Sequence, residues 1–533
     1  MAQRRHNFIS GAAVLALAVA VTKVLGALYK IPLGNLLDKE GMAHFYAAYN
    51  IYNLLLVLST AGLPLALSRL VSRAAAQGRR NAQRRIFRTA LALLAVIGAV
   101  CSAVMCLFPQ VLSGLLHDSL AAPAIRVLGP AVLFVCLTSA IRGYTQGLGD
   151  MTPTAVSQMT ESAGKLVIGL ALCLVLLHRG ADSSLCAAGA IAGVTAGSLL
   201  SLTVQTVFLL RRRDRAAVDV PPARSAVLRE LLTAGIPITL GAAGMSLITL
   251  LDQALVMSTL QNTLGYTEAA ATALYGEYTF GMTLFALPPS FIYPVTVSLV
   301  PDISAALARG DRPAAGRSAA AALKLTTLIA LPTGAGLSVL AGPILRLLYP
   351  AVPDTAAAAA YHLTILGIAC IFVCLMVATN GVLQAYGKEY IPVVTLLCGG
   401  ILKIITNYLM VGDPATNVRG APVSTLYCYG LIVVLNLIAI ARCVPERPSY
   451  LRLFARPVLI TAVMALAARS SYGLLARSLP ERWAVLPAIA VAVVVYGVLV
   501  LALGAATFVF TWCPPDGLLF RDLSLPTFYS LPC

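Results

Sequence analysis

The chain has 533 residues, of which 59% are hydrophobic and only 11% are charged, and its mean hydropathy is +0.86. Soluble domains carry about 25% charged residues, so the composition excludes a soluble protein and indicates an integral membrane protein. The 38 Lys and Arg residues exceed the 21 Asp and Glu residues, which gives a net charge of +17. In a membrane protein such an excess is typical of cytoplasmic loops held against anionic lipid. No nucleic-acid-binding module accompanies it, so no nucleic-acid partner is expected.

Apolar runs of spanning length recur along the chain and predict an all-α integral membrane fold with about fourteen transmembrane helices. The runs cover residues 8–34, 45–72, 87–108, 122–146, 155–178, 184–210, 229–258, 273–300, 322–346, 358–386, 391–411, 416–443, 452–477 and 482–512. Short polar connections separate most of them, so consecutive helices are expected to cross the membrane in opposite directions.

Arginine is concentrated in alternate connections between these runs. The connections after the second, sixth, eighth and twelfth runs contain Arg73, Arg79, Arg80, Arg84, Arg85, Arg88, Arg211, Arg212, Arg213, Arg215, Arg224, Arg229, Arg309, Arg312, Arg317, Arg442, Arg447, Arg452 and Arg456. The intervening connections 35–44, 109–121, 261–271 and 350–357 contain few or no basic residues. Positive loops stay in the cytoplasm, so the sequence predicts a multi-pass cell-membrane protein with both termini cytoplasmic. We call the two ends of the helix bundle the Arg-rich end and the Arg-poor end.

The first run contains two lysines, Lys23 and Lys30, well inside the expected hydrocarbon region. A lysine at mid-helix costs about 2.5–3.5 kcal/mol on insertion scales, so such a residue normally faces a wet cavity or a partner. A spacing of seven residues places both ammonium groups on one helix face. This face is predicted to line a cationic cavity for an anionic cargo. The alternatives are a structural pair for Lys23 and snorkelling of Lys30 to the membrane surface.

An internal repeat organises the chain, because matched residues differ in number by 238 throughout. Residues 128–129 match 366–367, and the sequence FVCL occurs at both 134–137 and 372–375. In the same register Gly143, Gln146, Gly149 and Lys165 match Gly381, Gln384, Gly387 and Lys403. The repeat steps over six helices, so both copies have the same orientation in the membrane. The predicted domains are an N-lobe over 1–225 with helices 1–6, a C-lobe over 226–445 with helices 7–12, and helices 13–14 with the tail over 446–533.

Three segments carry a family resemblance. The sequences TKVLG at 22–26 and YKIPL at 29–33 resemble the first helix of stage V sporulation protein B and its relatives, and LSTAGLP at 58–64 resembles their second helix. The glycine-rich segment 143–153, with Gln146 and Pro153, is similar to the turn between their fourth and fifth helices. These proteins form the polysaccharide transporter branch of the multidrug/oligosaccharidyl-lipid/polysaccharide exporter superfamily, alongside the lipid II flippases.

The resemblance covers about residues 8–450 and implies two six-helix lobes, alternating access and a lipid-linked saccharide as cargo. Two departures limit what carries over. Lipid II flippases also use arginines in their second and eighth helices, whereas the second run here contains only Arg69, near its cytoplasmic end. The eighth run contains no Arg, and Glu277 lies near its start. The tail after Trp512 matches no pattern of the family.

Other ionisable residues within the runs are further candidates for substrate binding. Glu161 and Lys165 are four residues apart, which favours an intrahelical ion pair. Lys403, the repeat partner of Lys165, has Gly399 in place of the acid and is a candidate to line the cavity. Arg142 lies near a cytoplasmic helix end, where snorkelling is expected.

Acidic residues within the runs are candidates to bind a coupling ion, Na⁺ or H⁺. They are Asp252, Glu277 and Glu161. A carboxylate binds Na⁺ or changes its protonation between states, and a structural pairing of Asp252 or Glu277 with a cavity lysine is the alternative. No nucleotide-binding loop, His/Cys metal spacing or nucleophile–base set appears, and the twelve cysteines are scattered singly. We therefore expect no cofactor, no metal and no enzymatic activity.

Three functions follow from these observations. The first is a flippase that moves an undecaprenyl-diphosphate-linked saccharide, such as the peptidoglycan precursor lipid II, from the inner to the outer leaflet. The second is a cation-coupled multidrug exporter of the same superfamily, although the first-helix lysines would repel a cationic drug. The third is a non-transporting scaffold that contacts wall-synthesis enzymes through its basic loops. Sporulation is only what the resemblance suggests.

Overall fold

The computed structural model describes residues 2–211, 219–444 and 449–503 of the chain. Within these ranges the protein is all-α and has no strand. The tail after Trp512 lies outside the described residues. The predicted all-α membrane class is therefore confirmed.

Eighteen α-helices follow one another along the described ranges. They are α1 (Ala2–Leu36), α2 (Lys39–Thr60), α3 (Leu63–Ala76), α4 (Arg80–Leu107), α5 (Pro109–Leu115), α6 (Ala122–Gly147), α7 (Thr152–His178), α8 (Ser183–Arg211), α9 (Arg224–Ser258), α10 (Glu268–Phe285), α11 (Leu287–Ala308), α12 (Arg312–Val339), α13 (Ala341–Leu348), α14 (Pro353–Ala385), α15 (Tyr390–Val411), α16 (Gly420–Cys443), α17 (Tyr450–Leu475) and α18 (Glu481–Ala502). The described part of the chain contains 12 helical segments that are long and apolar enough to cross a membrane. Neither α1 nor the α10–α11 segment is among them, so the count of fourteen is not confirmed.

The second and eighth apolar runs are each broken into two helices, whereas the sequence predicts one continuous helix over 45–72 and another over 273–300. The breaks fall between α2 and α3 and between α10 and α11. Pro64 is the second residue of α3 and Pro288 the second residue of α11. Proline has no N–H to donate, so it fits the first turn of a new helix and interrupts a continuing one.

The helix order of the two repeats agrees with the predicted internal symmetry. In each repeat a long helix is followed by a short one and then a long one: α4, α5 and α6 in the first repeat and α12, α13 and α14 in the second. The matched glycines Gly149 and Gly387 both have positive φ, 84° and 70°, just after α6 and α14. Such backbone angles strongly favour glycine, which explains why the repeat retains it there. The domain boundaries at 225 and 445 stay predictions.

A seam of close packing joins the two repeats where α2 and α3 meet α9 and α10. At the Arg-poor end of this seam, one continuous buried cluster contains Leu33 and Phe45 of the first repeat together with Phe280 and Tyr349 of the second. A Cβ atom on Gly276 of α10 would lie only 1.9 Å from the backbone oxygen of Lys39. The two backbones therefore touch, and the Arg-poor end of the seam is tightly closed.

Candidate functional site

Helix α1 brings Lys30 against two tyrosines of α2. The Lys30 ammonium donates a hydrogen bond of 3.2 Å to the Tyr46 hydroxyl. It also lies 4.8 Å from the ring centroid of Tyr46 and 5.2 Å from that of Tyr49. Both distances are within the range of a cation–π interaction. Lys30 is thus held by aromatic groups rather than by a carboxylate.

Tyr49 lies within electrostatic reach of four of the sequence-predicted residues. The charges of Lys165, Lys30, Glu161 and Lys23 all contribute to the electrostatic field at its hydroxyl. The structure therefore places three lysines of α1 and α7 within electrostatic range of one side chain of α2. Lys23 is exposed and Lys165 is partly exposed. Within the described ranges neither of these two ammonium groups has a hydrogen bond or an ion pair, so both are available to an anion.

The tyrosines at this site were not among the residues singled out from the sequence. Tyr46, Tyr49 and Tyr52 follow one another at intervals of three on α2. This spacing puts them near one face of the helix, and only the contact with α1 shows that the face meets Lys30. The spacing of the tyrosines is visible in the sequence, but an aromatic stripe on an apolar helix is equally typical of ordinary packing.

A directed chain of hydrogen bonds connects Lys30 to the second repeat. The Tyr46 hydroxyl is 2.7 Å from the Thr283 hydroxyl on α10. Thr283 donates its own proton to the Thr279 carbonyl oxygen at 3.1 Å. Tyr46 must therefore donate to Thr283 while it accepts from Lys30. The state of Lys30 is thus linked directly to a contact across the seam.

Arg142 joins three helices of the first repeat and does not snorkel to the surface as expected. Its guanidinium donates to the Glu161 carboxylate at 3.0 Å, to the Ser157 hydroxyl at 3.1 Å and to the Ser201 hydroxyl at 2.9 Å. Glu161 consequently pairs with Arg142 rather than with Lys165, which corrects the predicted intrahelical pair. The correction has a physical cause, because a planar guanidinium satisfies several acceptors at once.

Lys403 and Asp252 form a buried ion pair between α15 and α9. The ammonium of Lys403 is 3.0 Å from one carboxylate oxygen of Asp252, and both side chains are almost fully buried. The other oxygen accepts a hydrogen bond of 2.7 Å from Asn407, whose own oxygen accepts from Ser424 at 2.9 Å. The structural pairing considered for Asp252 is therefore present. A cavity of about 140 Å³, lined mainly by apolar side chains of α9 and α15, reaches this pair.

Glu277 pairs with Lys39 across the Arg-poor end of the seam, at 3.2 Å. All three carboxylates considered for ion coupling therefore face a lysine or an arginine in this conformation. An ion that bound to any of them would have to replace that cation. The role of these carboxylates in coupling stays a prediction.

Comparison with known proteins identifies the family. The family model for polysaccharide biosynthesis proteins matches residues 8–307, more than half of the chain. The chain belongs to the polysaccharide biosynthesis protein family. A second model, MatE, matches residues 237–409. The resemblance predicted from the segments at 22–33, 58–64 and 143–153 is therefore confirmed.

Three Bacillus subtilis members of the superfamily are similar over most of their length. The uncharacterized membrane protein YabM is 27% identical over 81% of this chain and 80% of its own. Stage V sporulation protein B is 23% identical over 83% and 85%, and the lipid II flippase MurJ is 24% identical over 87% and 88%. A solved structure of the lipid II flippase MurJ in an inward closed conformation matches with a TM-score of 0.70 at 14% identity, over 94% of this chain and 99% of that one. This protein of the polysaccharide biosynthesis family is therefore a membrane transporter of the multidrug/oligosaccharidyl-lipid/polysaccharide exporter superfamily.

Proposed function

We propose that this protein is a flippase that moves an undecaprenyl-diphosphate-linked saccharide, such as lipid II, from the cytoplasmic to the outer leaflet. The observation that carries the proposal is the group of three lysines, Lys23, Lys30 and Lys165, around Tyr49. None of the three has a carboxylate partner among the described residues. A diphosphate would supply the missing negative charge, while the lipid tail stays in the bilayer. The similarity to the lipid II flippase MurJ supports this cargo class.

Lysine suits a cargo that must be released after crossing. Its ammonium is a flexible point charge, whereas arginine forms a rigid two-point clamp on phosphate. The free lysines, Lys23 and Lys165, are the residues we expect to bind the diphosphate first. Lys403 and Arg142 already hold Asp252 and Glu161, so we propose that they bind cargo only in a conformation that separates those pairs.

Alternating access supplies the movement in this proposal. If the Arg-rich end faces the cytoplasm, the closed Arg-poor end is the outer gate. Lys30 bridges the cargo site and this gate through Tyr46 and Thr283. An anion that draws the Lys30 ammonium away from Tyr46 removes a donor from the chain and weakens the hydrogen bond to Thr283, because aligned hydrogen bonds polarise one another. Cargo binding would thereby favour opening of the outer gate.

The test is transport of fluorescent lipid II across reconstituted vesicles by Lys23→Ala, Lys30→Ala and Lys165→Ala variants. A hydrogen bond to a charged group contributes about 1.5–3 kcal/mol, so each substitution is expected to lower the initial flipping rate roughly tenfold or more. Lys388→Ala, which removes a lysine from the connection after α14, is the matched control and should keep the wild-type rate. Wild-type flipping by a Lys23→Ala/Lys165→Ala double variant would contradict the proposal.

Multidrug export is the second candidate because the MatE model matches residues 237–409. Most drugs of this kind are cations, and the three unpaired lysines would repel them. Drug tolerance of an efflux-deficient strain separates the two candidates. The flippase proposal expects no gain in tolerance from expression of the wild-type protein. A gain in tolerance would favour the exporter.

A further inference from the structure

One buried carboxylate near the Arg-poor end faces a histidine instead of a lysine or an arginine. Nδ1 of His44, on α2, is 2.7 Å from a carboxylate oxygen of Asp118, which lies between α5 and α6. Their side chains are only 3% and 1% exposed. The second carboxylate oxygen of Asp118 is buried and has no hydrogen-bond partner. The imidazole is therefore the main group that offsets the charge of this carboxylate.

The other ion pairs described above have a lysine or an arginine as the basic partner. Side chains of these two types are ordinarily protonated at every physiological pH. Histidine is the side chain whose ordinary pKa lies between pH 5 and 8. Of the pairs described above, the pair of His44 and Asp118 is the one in which the basic partner is a histidine.

Asp118 lies in a turn that fastens the two repeats together. The His117 carbonyl oxygen accepts a hydrogen bond of 2.7 Å from Gln261 of the second repeat. The Ser119 backbone N–H and hydroxyl both donate to Glu268 of α10, at 2.5 and 2.6 Å. We call residues 117–119 the strap. The central residue of the strap is thus bound to α2, and its two neighbours are bound to the second repeat.

Because Asp118 is buried, the stability of the strap depends on whether the pair of His44 and Asp118 carries a proton. A carboxylate enclosed by protein is costly unless a positive charge accompanies it, and an imidazolium supplies that charge. When the repeats separate and water reaches the strap, Asp118 is solvated and no longer needs a charged partner. A proton that is taken up from the medium on closure would then shift the equilibrium towards the closed arrangement.

We propose that His44 and Asp118 form a proton-binding site, and that a proton held there keeps the strap in place and the Arg-poor ends of the two repeats joined. With the Arg-poor end outside the cell, external acid would favour closure of the outer gate. The proposal needs no cargo. It therefore stands or falls separately from the flippase function.

Several other titratable groups face the pair. His117 lies on the strap itself, with a buried Nδ1 that has no partner among the described residues. On α10, Tyr275 interacts electrostatically with Asp118, and a tyrosine stays neutral near pH 7. Arg126 of α6 is hydrogen-bonded to the Cys106 carbonyl oxygen, and Lys39 and Glu277 neutralise each other.

Glu268 is a facing carboxylate that would act in acid, and its effect has the opposite sign. Protonation of its carboxylate weakens the two hydrogen bonds from Ser119 and loosens the strap. Acid-driven closure therefore does not come from Glu268, and a Glu268→Gln variant should keep it. A His117→Gln variant should keep it as well, because the proposal assigns the proton to His44 and Asp118.

The experiment measures how fast an Ala43→Cys reporter reacts with a membrane-impermeant maleimide added outside intact cells. Ala43 is 1% exposed and packs against Tyr275 and Tyr278, so the thiol reacts only when the repeats separate. All native cysteines are replaced. An Ala269→Cys reporter, at an exposed position on α10, corrects for the effect of pH on the thiol itself.

The corrected rate of the otherwise wild-type protein is expected to fall several-fold between pH 8 and pH 6. His44→Gln should react fast at every pH, because Asp118 is left buried without a counter-charge. Asp118→Asn should react slowly at every pH, because its neutral amide is hydrogen-bonded to neutral His44. His362→Gln, which removes another histidine that is 2% exposed, is the matched control and should keep the wild-type pH dependence.

Two results would overturn the proposal: a corrected wild-type rate that does not change with pH, or His44→Gln and Asp118→Asn that shift the rate in the same direction. A merely structural pair predicts the second result, since either substitution would then loosen the strap. If His44→Gln does not accumulate in the membrane, the nearly isosteric Asp118→Asn variant decides alone. A pH dependence retained in that variant also overturns the proposal.

Discussion

Lys39 of α2 and Glu277 of α10 form an ion pair that joins the two repeats at the Arg-poor end. Their charged atoms are 3.2 Å apart. The Lys39 side chain is 40% exposed and that of Glu277 is 16% exposed, so water reaches the pair from one side. The opposite charges make this contact between the repeats attractive.

A charge-swap series tests this pair. Lys39→Glu or Glu277→Lys alone places like charges at this contact and should raise the reactivity of the Ala43→Cys reporter a few-fold, since partly exposed pairs contribute about 1 kcal/mol or less. The double swap should return the reactivity to the wild-type value. Reactivity of the double variant equal to or above that of the single variants would show that the pair does not hold the Arg-poor end closed.

Alanine substitutions at two glycines, Gly276 and Gly62, are expected to shift the conformational equilibrium in opposite directions. A methyl group at Gly276 would lie 1.9 Å from the Lys39 backbone oxygen at the Arg-poor end. One at Gly62 would lie 2.0 Å from the Gly235 backbone oxygen, nearer the Arg-rich end. Gly276→Ala should therefore raise the Ala43→Cys reactivity and Gly62→Ala should lower it, because each forces apart the end at which it lies.

Gly430 provides the matched control for the two glycine substitutions. It lies within α16 and has no atom within 4 Å of an added Cβ. Gly430→Ala should leave the reporter unchanged and stabilise the helix slightly, by about 0.5–1 kcal/mol. The same shift from Gly276→Ala and Gly62→Ala would indicate general loosening instead of alternating access.

The sequence predicts the membrane class and the internal repeat because both are carried by patterns that extend over many residues. Hydropathy identifies the runs, and glycines such as Gly149 and Gly387 are retained because their backbone angles require them. Ion-pair partners are different. Spacing alone favours an ion pair between Glu161 and Lys165. In the structure the Glu161 carboxylate instead binds Arg142, which lies on another helix. Contacts of this kind depend on how helices distant in sequence are packed.

The aromatic and histidine parts of the site were not predictable for the same reason. Nothing near His44 in the sequence indicates that Asp118 will meet it, 74 residues away. Lys30 was found because a lysine in an apolar run is rare, whereas tyrosines such as Tyr46 are common there. Charges that are costly to bury thus stand out in a sequence, whereas the neutral groups that hold them do not.

Asp219 provides a pH-dependent prediction outside the membrane. It is partly buried, which raises the pKa of its carboxyl, but the backbone N–H groups of Asn81 and Ala82 donate to it and the net effect is a lowered pKa. A lowered pKa means that the carboxylate stabilises the start of α4 above its ordinary pKa. This contribution is lost as the pH falls through the lowered value.

Hydrogen exchange at the amides of Asn81 and Ala82 measures this contribution. Asp219→Ala should speed their exchange at pH 7, and acidification should speed it in the wild type after correction for the intrinsic effect of pH. Asp150→Ala removes a similar acceptor, which binds the Thr152 amide, and is the control. It should leave the amides of α4 protected. Equal protection in Asp219→Ala and the wild type would contradict the assignment.

The pair of Asp252 and Lys403 predicts strong non-additivity in stability. Removing one partner of a buried ion pair leaves an uncompensated charge and typically costs 3–5 kcal/mol, whereas replacing both with apolar residues is often neutral or stabilising. Asp252→Leu and Lys403→Met should therefore each destabilise the protein severely in detergent micelles. The double variant should recover most of the loss, as the adjoining cavity is lined mainly by apolar side chains.

A double-mutant cycle of unfolding free energies checks this, with Lys388→Met as the neutral control. Additive losses would mean that Lys403 and Asp252 are stabilised by other groups, and an unaltered stability in Lys403→Met would exclude the buried pair altogether.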